Sequence, residues 1–336
     1  MVYGAPAEAD WFRSEPRRIM PANVLETVIR TALPGRRVVD IKHFSDGLRN
    51  ANFRLELDST REPVVLRLYE HDASLCRKEA DIIDLIRHRV PIPEVIHAEP
   101  NGMNDIPPFV LLRYVEGITF RELKRSGNTG SISEAAHAVG KTLASIGRIV
   151  FPSPGWLGPG PTAKSRLLEG RHGQVPHFVD LCLASVNTQR RMEPELRDRT
   201  SALVWSHAAE LAFVNDESRL VHGDFGGRNL LVRRDPERWN VAAVLDWEFA
   251  IAGCPLIDIG HFLRYECTSR PTLEPHFSNG YLEAGGMLSG GWRQLARVMD
   301  LTALCESLTH DALPDDVVAE LLELVRATIE NRDPRL

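Results

Sequence analysis

Leu220-Val-His-Gly-Asp-Phe-Gly-Gly-Arg-Asn-Leu-Leu-Val232, followed by Ala243-Val-Leu-Asp-Trp-Glu248, is the stretch from which the rest of the chain is read. Asp224 and Asn229 stand between two apolar runs, and Asp246 ends a third. The runs 230–232 and 241–245 read as short buried strands around a turn that includes Asp235 and Pro236. Such a hairpin carries Asn229 and Asp246 at the outer ends of its strands, close together in space. A carboxylate to orient a hydroxyl, with an amide oxygen and a second carboxylate to hold Mg²⁺, is the set that phosphoryl transfer from a nucleoside triphosphate requires. A lone Asp is usually a turn residue or a helix cap. The full combination, H-G-D-x₄-N, an apolar hairpin and D-W-E, is far more specific.

These two segments resemble the catalytic and metal loops of the aminoglycoside phosphotransferase family, small-molecule relatives of the protein kinases. The resemblance implies an α+β, bilobal protein-kinase-like fold. It places an extension at residues 1–20, a β-rich nucleotide-binding lobe at 21–115, and a mainly helical catalytic and substrate-binding lobe at 116–336. The local pattern agrees. A helix is expected at 23–32, strands at 37–44, 53–57 and 64–69, a helix at 75–90 and a strand at 109–114. Long helices are expected at 131–150 and 193–212, with a Gly/Pro-rich loop at 151–162 between them.

Within that frame Asp224 is the catalytic carboxylate, and Asn229 and Asp246 are the Mg²⁺ ligands. His222 is expected to fix the loop through backbone hydrogen bonds. Arg228 is a second catalytic candidate, stabilising charge on the moving phosphoryl group, with a surface salt bridge as the alternative. Gly226 and Gly227 either let the backbone approach a ligand closely or permit positive φ. Asp258 is expected to open a helix beneath the loop as an anchor, Trp247 to be core, and Glu248 has no assigned role.

For the nucleotide, ATP or GTP, the resemblance implies a cation on the third strand paired with a carboxylate on the next helix. Arg67 and Glu79 fill those places, and arginine can grip two phosphate oxygens at once. The turn Asp46-Gly-Leu-Arg-Asn50 resembles the family's phosphate loop, so Gly47, Arg49 and Asn50 are candidates. Arg49 stands where serine is common; either it reaches the triphosphate or the loop sits differently. The stretch 110–117 resembles the linker between lobes, with backbone groups of Arg113 and Val115 meeting the adenine edge and Leu112 as an apolar wall. After the linker, Gly147 stands where many relatives carry histidine.

Composition narrows the class. Hydrophobic residues at 43% and charged residues at 26% are ordinary globular values. No segment is strongly basic and no reader motif appears, which argues against nucleic acid. Five cysteines without metal-ligand spacing read as buried thiols of a reducing cytoplasm. The first residues lack the pattern of a signal peptide, and no apolar run is long enough to span a membrane. A cytoplasmic protein is expected. The net charge of −6 falls entirely in residues 251–336, where seven arginines face thirteen acidic side chains. Asp311, Asp315, Asp316, Glu320 and Glu323 dominate it, either as a solvated helix face or as a patch attracting a cationic acceptor.

The reading is therefore an ATP- or GTP-dependent kinase of a small-molecule hydroxyl, first of all on an aminoglycoside or aminocyclitol antibiotic. A metabolic kinase of choline, homoserine, a sugar or a macrolide-like alcohol is the alternative, and a non-catalytic nucleotide-binding module is a third. Choline kinases tend to carry Asn in place of Gly223. No D-F-G or A-P-E segment follows Asp246, which argues against protein-kinase activity.

Overall fold

The computed structural model describes residues 21–44, 50–58, 62–165, 175–214, 216–266 and 271–331. Five antiparallel strands form one sheet in the order β1-β2-β3-β5-β4. They are β1 (Val38–His43), β2 (Ala51–Leu57), β3 (Val64–Leu68), β4 (Val95–Glu99) and β5 (Phe109–Arg113). Alternation along the strands decides what each face holds. Phe53, Leu55, Leu66, Leu68, Phe109 and Leu111 meet Leu25, Val28 and Ile29 of α1 (Ala22–Ala32) on one side. Val110 and Leu112 join Cys76, Ile82, Ile83 and Ile86 of α2 (Ala73–Ile86) on the other. Arg67 alternates with Leu66 and Leu68, so it lies on the α2 face. The Asp72 side chain caps α2 by accepting from the Ser74 N–H at 2.9 Å.

Most of the remaining chain is helical. The elements are β6 (Ile118–Thr119), α3 (Phe120–Arg125), α4 (Thr129–Ile146), β7 (Gly155–Gly158), β8 (Thr162–Ser165), α5 (Val175–Ala184), α6 (Val186–Arg191), α7 (Pro194–Ser206) and α8 (Ala208–Val214). They continue with β9 (Arg219–Val221), β10 (Leu230–Arg234), β11 (Trp239–Val244), β12 (Ile251–Gly253), α9 (Leu256–Leu263), α10 (His276–Glu283), α11 (Trp292–Ser307) and α12 (Asp315–Ile329). The predicted hairpin is β10–β11, with Leu230 opposite Val244 and β6 on its other edge. Helices α4 and α10 touch backbone to backbone, because a Cβ on Gly280 would sit 2.0 Å from the His137 carbonyl oxygen. Helices α5, α7, α11 and α12 enclose a second apolar core around Val179, Val204, Leu301 and Leu324.

Three local expectations change. Strand β4, between Pro93 and Pro100, was not foreseen, because Val-Ile-His-Ala-Glu is too short and mixed to show a period. The helix expected over 193–212 divides at His207, whose φ of −105° and ψ of 13° leave the helical region. The loop expected at 151–162 contains β7, paired with β8 and β12. Cys76, Cys182, Cys254 and Cys305 are buried free thiols; Cys267 and the 1–20 extension lie outside the described residues. Among the described residues no helix is long and apolar enough to cross a membrane.

Candidate active site

The loop between β9 and β10 is held from below. Gly223 has φ of 83°, and a Cβ there would meet the Phe249 carbonyl oxygen at 2.5 Å, so a side chain is excluded twice over. Asp258, in the first turn of α9, accepts from the backbone N–H groups of His222 at 2.7 Å and Gly223 at 2.9 Å. It is the expected anchor, although burial pushes its carboxyl up to about 7 against those two bonds. His222 is fully buried. Its Nδ1 accepts from the Asp224 N–H at 3.2 Å, so the ring proton belongs on Nε2, which faces the Leu245 carbonyl oxygen at 2.7 Å. Burial pushes its pKa down to about 4, and the ring is neutral.

Asp224 is packed closely by protein but keeps 40% of its side chain open. Asn229 Nδ2 donates to its carbonyl oxygen at 2.9 Å and to Oδ2 at 2.8 Å, and His261 Nε2 lies 3.2 Å from Oδ1. Burial and then the charge of Asp246 raise its carboxyl to about 6, while Arg264, the Asn229 bond and Arg228 pull the other way. Arg228 is thus close enough for its charge to act on Asp224. Gly226 and Gly227 are not there for positive φ, and the side chains they lack would meet the His261 ring at 3.2 Å and the Arg121 backbone nitrogen at 3.2 Å.

The hairpin does bring Asn229 and Asp246 together: the Leu245 N–H donates to the Asn229 carbonyl oxygen at 2.8 Å. Asp246 has φ of 64° and ψ of 69°, a left-handed conformation that costs a non-glycine residue and concentrates at functional sites. Arg67 lies under it. Its Nε is 3.1 Å from Glu79 Oε2, and its Nη2 bonds Asp246 Oδ1 and lies 3.5 Å from Glu248 Oε2. Three carboxylates outweigh the burial that opposes charge, and Arg67 stays a cation. Glu79 also accepts from the Tyr69 hydroxyl and, at 3.1 Å, from the Trp247 N–H. Trp247 is fully buried, as expected.

Glu248 was left without a role and proves to be central. Its Oε2 accepts from Asn50 Nδ2 at 2.6 Å, and its carbonyl oxygen accepts from Lys78 Nζ at 2.6 Å. Burial and the neighbouring Asp246 raise its carboxyl to about 7. Asn50, expected in the phosphate loop, therefore bonds Glu248 here; Gly47 and Arg49 lie outside the described residues. Leu112 is buried beside the linker. The Arg113 N–H is taken by the Glu94 carbonyl oxygen at 2.9 Å, and its exposed guanidinium pairs with Glu62 and Glu94. Val115 is half-buried.

His261 was also missed. It falls three residues after Asp258, on the same helix face, a spacing that was available in the sequence. The acidic patch is corrected. Glu320 is buried and accepts from the Tyr265 hydroxyl at 2.8 Å, and Asp311 Oδ1 accepts from Asn187 at 2.9 Å. Asp315 and Asp316 remain exposed in the first turn of α12, so the five residues do not form one solvent face.

Comparison with known proteins identifies the family and the fold. The model of the phosphotransferase enzyme family matches residues 40–298. Among curated proteins, acyl-CoA dehydrogenase family member 11 of Pongo abelii is 44% identical over 275 residues, 78% of this chain and 33% of that protein. The Gallus gallus protein of the same name is 24% identical over 259 residues, 72% of this chain and 30% of its own. The chain thus spans about a third of the length of the curated relatives it matches. Among solved structures, a thermostable mutant of aminoglycoside phosphotransferase APH(4)-Ia with AMP-PNP and hygromycin B has a TM-score of 0.61 at 19% identity, covering 91% of this chain and 97% of that one. The GDP complex of wild-type aminoglycoside 2′-phosphotransferase-IIIa has a TM-score of 0.65 at 17% identity, covering 93% and 99%. These likenesses establish the protein-kinase-like fold.

Proposed function

The chain belongs to the phosphotransferase enzyme family, and from that premise we propose that it moves the γ-phosphoryl group of ATP or GTP to a hydroxyl of a small metabolite. The observation that carries the reading is the convergence of Asp224, Asn229 and Asp246 at one end of the β10–β11 hairpin. Asp224 is the carboxylate that accepts a hydrogen bond from the acceptor hydroxyl and aligns it with the phosphorus. Asn229 and Asp246 are the residues that would hold Mg²⁺. The fit is chemical: the Asn229 amide points its nitrogen at Asp224, which leaves its oxygen as the ligand atom, and Asp246 supplies a carboxylate. When bound, Mg²⁺ neutralises phosphate charge. Arg67, oriented by Glu79, and Arg228 are assigned to the phosphates, and the Leu112–Val115 linker to the base. Residues 21–115 and 116–336 are assigned as the nucleotide and acceptor lobes.

For the acceptor, two observations favour metabolism over antibiotic resistance. The inward turn of Glu320 removes part of the negative face that a polycationic aminoglycoside would meet. The identity to proteins named for acyl-CoA dehydrogenation, at up to 44%, also exceeds that to the antibiotic kinases. A hydroxyl borne on an acyl chain is the class favoured here. An aminoglycoside is the second reading, supported by the solved structures that hold hygromycin B and kanamycin. Hydroxyacyl thioesters, sugars, choline and aminoglycosides are to be compared for coupled ADP or GDP release. Turnover with a hydroxyacyl thioester above all others is expected; turnover confined to the aminoglycosides would overturn the choice of acceptor.

A further inference from the structure

Helix α9 carries Asp258 and His261, and its C-cap is Arg264, at three-residue spacing and hence along one side. The first and last of these are fixed. Asp258 holds the backbone of the catalytic loop, and Arg264 makes two hydrogen bonds to Asp300 of α11, at 2.8 and 2.7 Å. His261 lies between the two anchors, with Nε2 3.2 Å from Asp224 Oδ1. The approach is close at Gly226, where a Cβ would stand 3.2 Å from Nε2 and 3.4 Å from Cδ2 of the same ring, a tight contact. Glycine in the catalytic loop and histidine in the helix are thus matched in shape.

The terminal torsion of an aspartate is broad and two-fold, so a carboxylate held at one oxygen alone still swivels. Asn229 secures Oδ2 at 2.8 Å. We propose that His261 is a positioning residue: its Nε2–H donates to Oδ1 of Asp224 and sets the plane of the carboxylate toward the acceptor hydroxyl. Each oxygen keeps a further lone pair for that hydroxyl, so two donors restrain the group without filling it. Burial, with Arg264 and His222 nearby, pushes the His261 pKa well below its ordinary value. The ring is therefore neutral, and facing a carboxylate it carries its single proton on Nε2. This inference rests on the reading of Asp224 as the group that meets the acceptor.

The test uses MgATP with water as the acceptor, read as inorganic phosphate release, beside calorimetric nucleotide binding. His261→Phe is expected to lower kcat by roughly 10–100-fold, the effect of a misplaced reacting group, with nucleotide affinity unchanged. His261→Gln, which keeps an N–H donor, is expected to recover most of the rate. In ¹⁵N-histidine spectra the His261 Nε2 proton is expected to shift upfield in Asp224→Ala. Equal losses in His261→Phe and His261→Gln, or an Nε2 proton indifferent to Asp224→Ala, would overturn the proposal. A normal rate in His261→Phe with an inactive Asp224→Asn would overturn this inference alone. An active Asp224→Asn would instead remove the reading beneath it.

Discussion

Lys78 Nζ donates to the carbonyl oxygen of Glu248 at 2.6 Å, joining helix α2 to the loop after β11 across 170 residues of sequence. Asn50 also donates to Glu248, and the Trp247 N–H donates the other way, to Glu79, so the sheet with its helix and the β10–β11 hairpin are laced together at residues 247–248. Burial lowers the Lys78 pKa to about 8, which makes this contact costly to build and costly to lose. Lys78→Met should leave a buried carbonyl without its donor, reducing stability by about 1–3 kcal/mol and raising the nucleotide KM. Urea unfolding and initial rates measure both.

Asp224→Asn should reduce turnover by roughly 10²–10⁴ while nucleotide affinity holds. The same change should raise the melting temperature at pH 7.5. Folding lifts this carboxyl above its ordinary value, to about 6, so the charged form is disfavoured in the folded protein, and a neutral isostere relieves that penalty. A destabilised variant, or one with turnover within a few-fold of the original, contradicts the assignment.

Asn229→Ala and Asp246→Ala should each bind Mg-nucleotide weakly and recover with added Mg²⁺. Asp246→Gly separates ligand from backbone: it removes the carboxylate but relieves the left-handed strain, and should therefore be more stable than Asp246→Ala. Nucleotide titrations over a range of Mg²⁺ decide the first point, and thermal melts the second.

His222 gives a pH dependence of known sign. Its folded pKa of about 4 lies below the ordinary 6.5, so its contribution to stability is complete above pH 6.5 and is lost as pH falls toward 4. One proton is taken up on unfolding in that window, about 1.4 kcal/mol per pH unit. His222→Gln should flatten the acid slope between pH 6 and 5 by about that amount. Denaturant midpoints at a series of pH values provide the comparison.

On helix α12 the acidic residues should separate into two kinds. Glu320→Ala removes a buried acceptor from the Tyr265 hydroxyl and should cost about 1–3 kcal/mol. Asp315→Asn and Asp316→Asn, exposed at the helix start, should cost about 0.3–1 kcal/mol each, and less in high salt. None of the exposed substitutions should move the acceptor KM.

What was legible before folding follows from local physics. β2 shows the alternation of a strand with one buried face, while β3 and β5, buried on both faces, were marked by their β-branched and apolar content, and the family resemblance paired Arg67 with Glu79. The hairpin was readable because its apolar runs end at the polar residues Asn229 and Asp246. Glu320 carried a local signal that its charge concealed: it shares the helical face of Val317, Leu321 and Leu324, all buried. Strand β4 carried none, since its pairing with β5 comes from the sheet and not from its own five residues.

By itself, then, the sequence determined most of the strands and helices around the site, the H-G-D-x₄-N loop and the approach of Asn229 to Asp246, because period, turn chemistry and a two-strand hairpin act over short distances. Tertiary structure decided the rest. Glu248 became a hub only when Asn50 and Lys78 were brought to it, and His261 met Asp224 only because α9 passes beneath a loop whose glycine leaves room for the ring. Those contacts depend on the packing of elements distant in the chain, and no periodicity within one element encodes where its side chains will find partners in another.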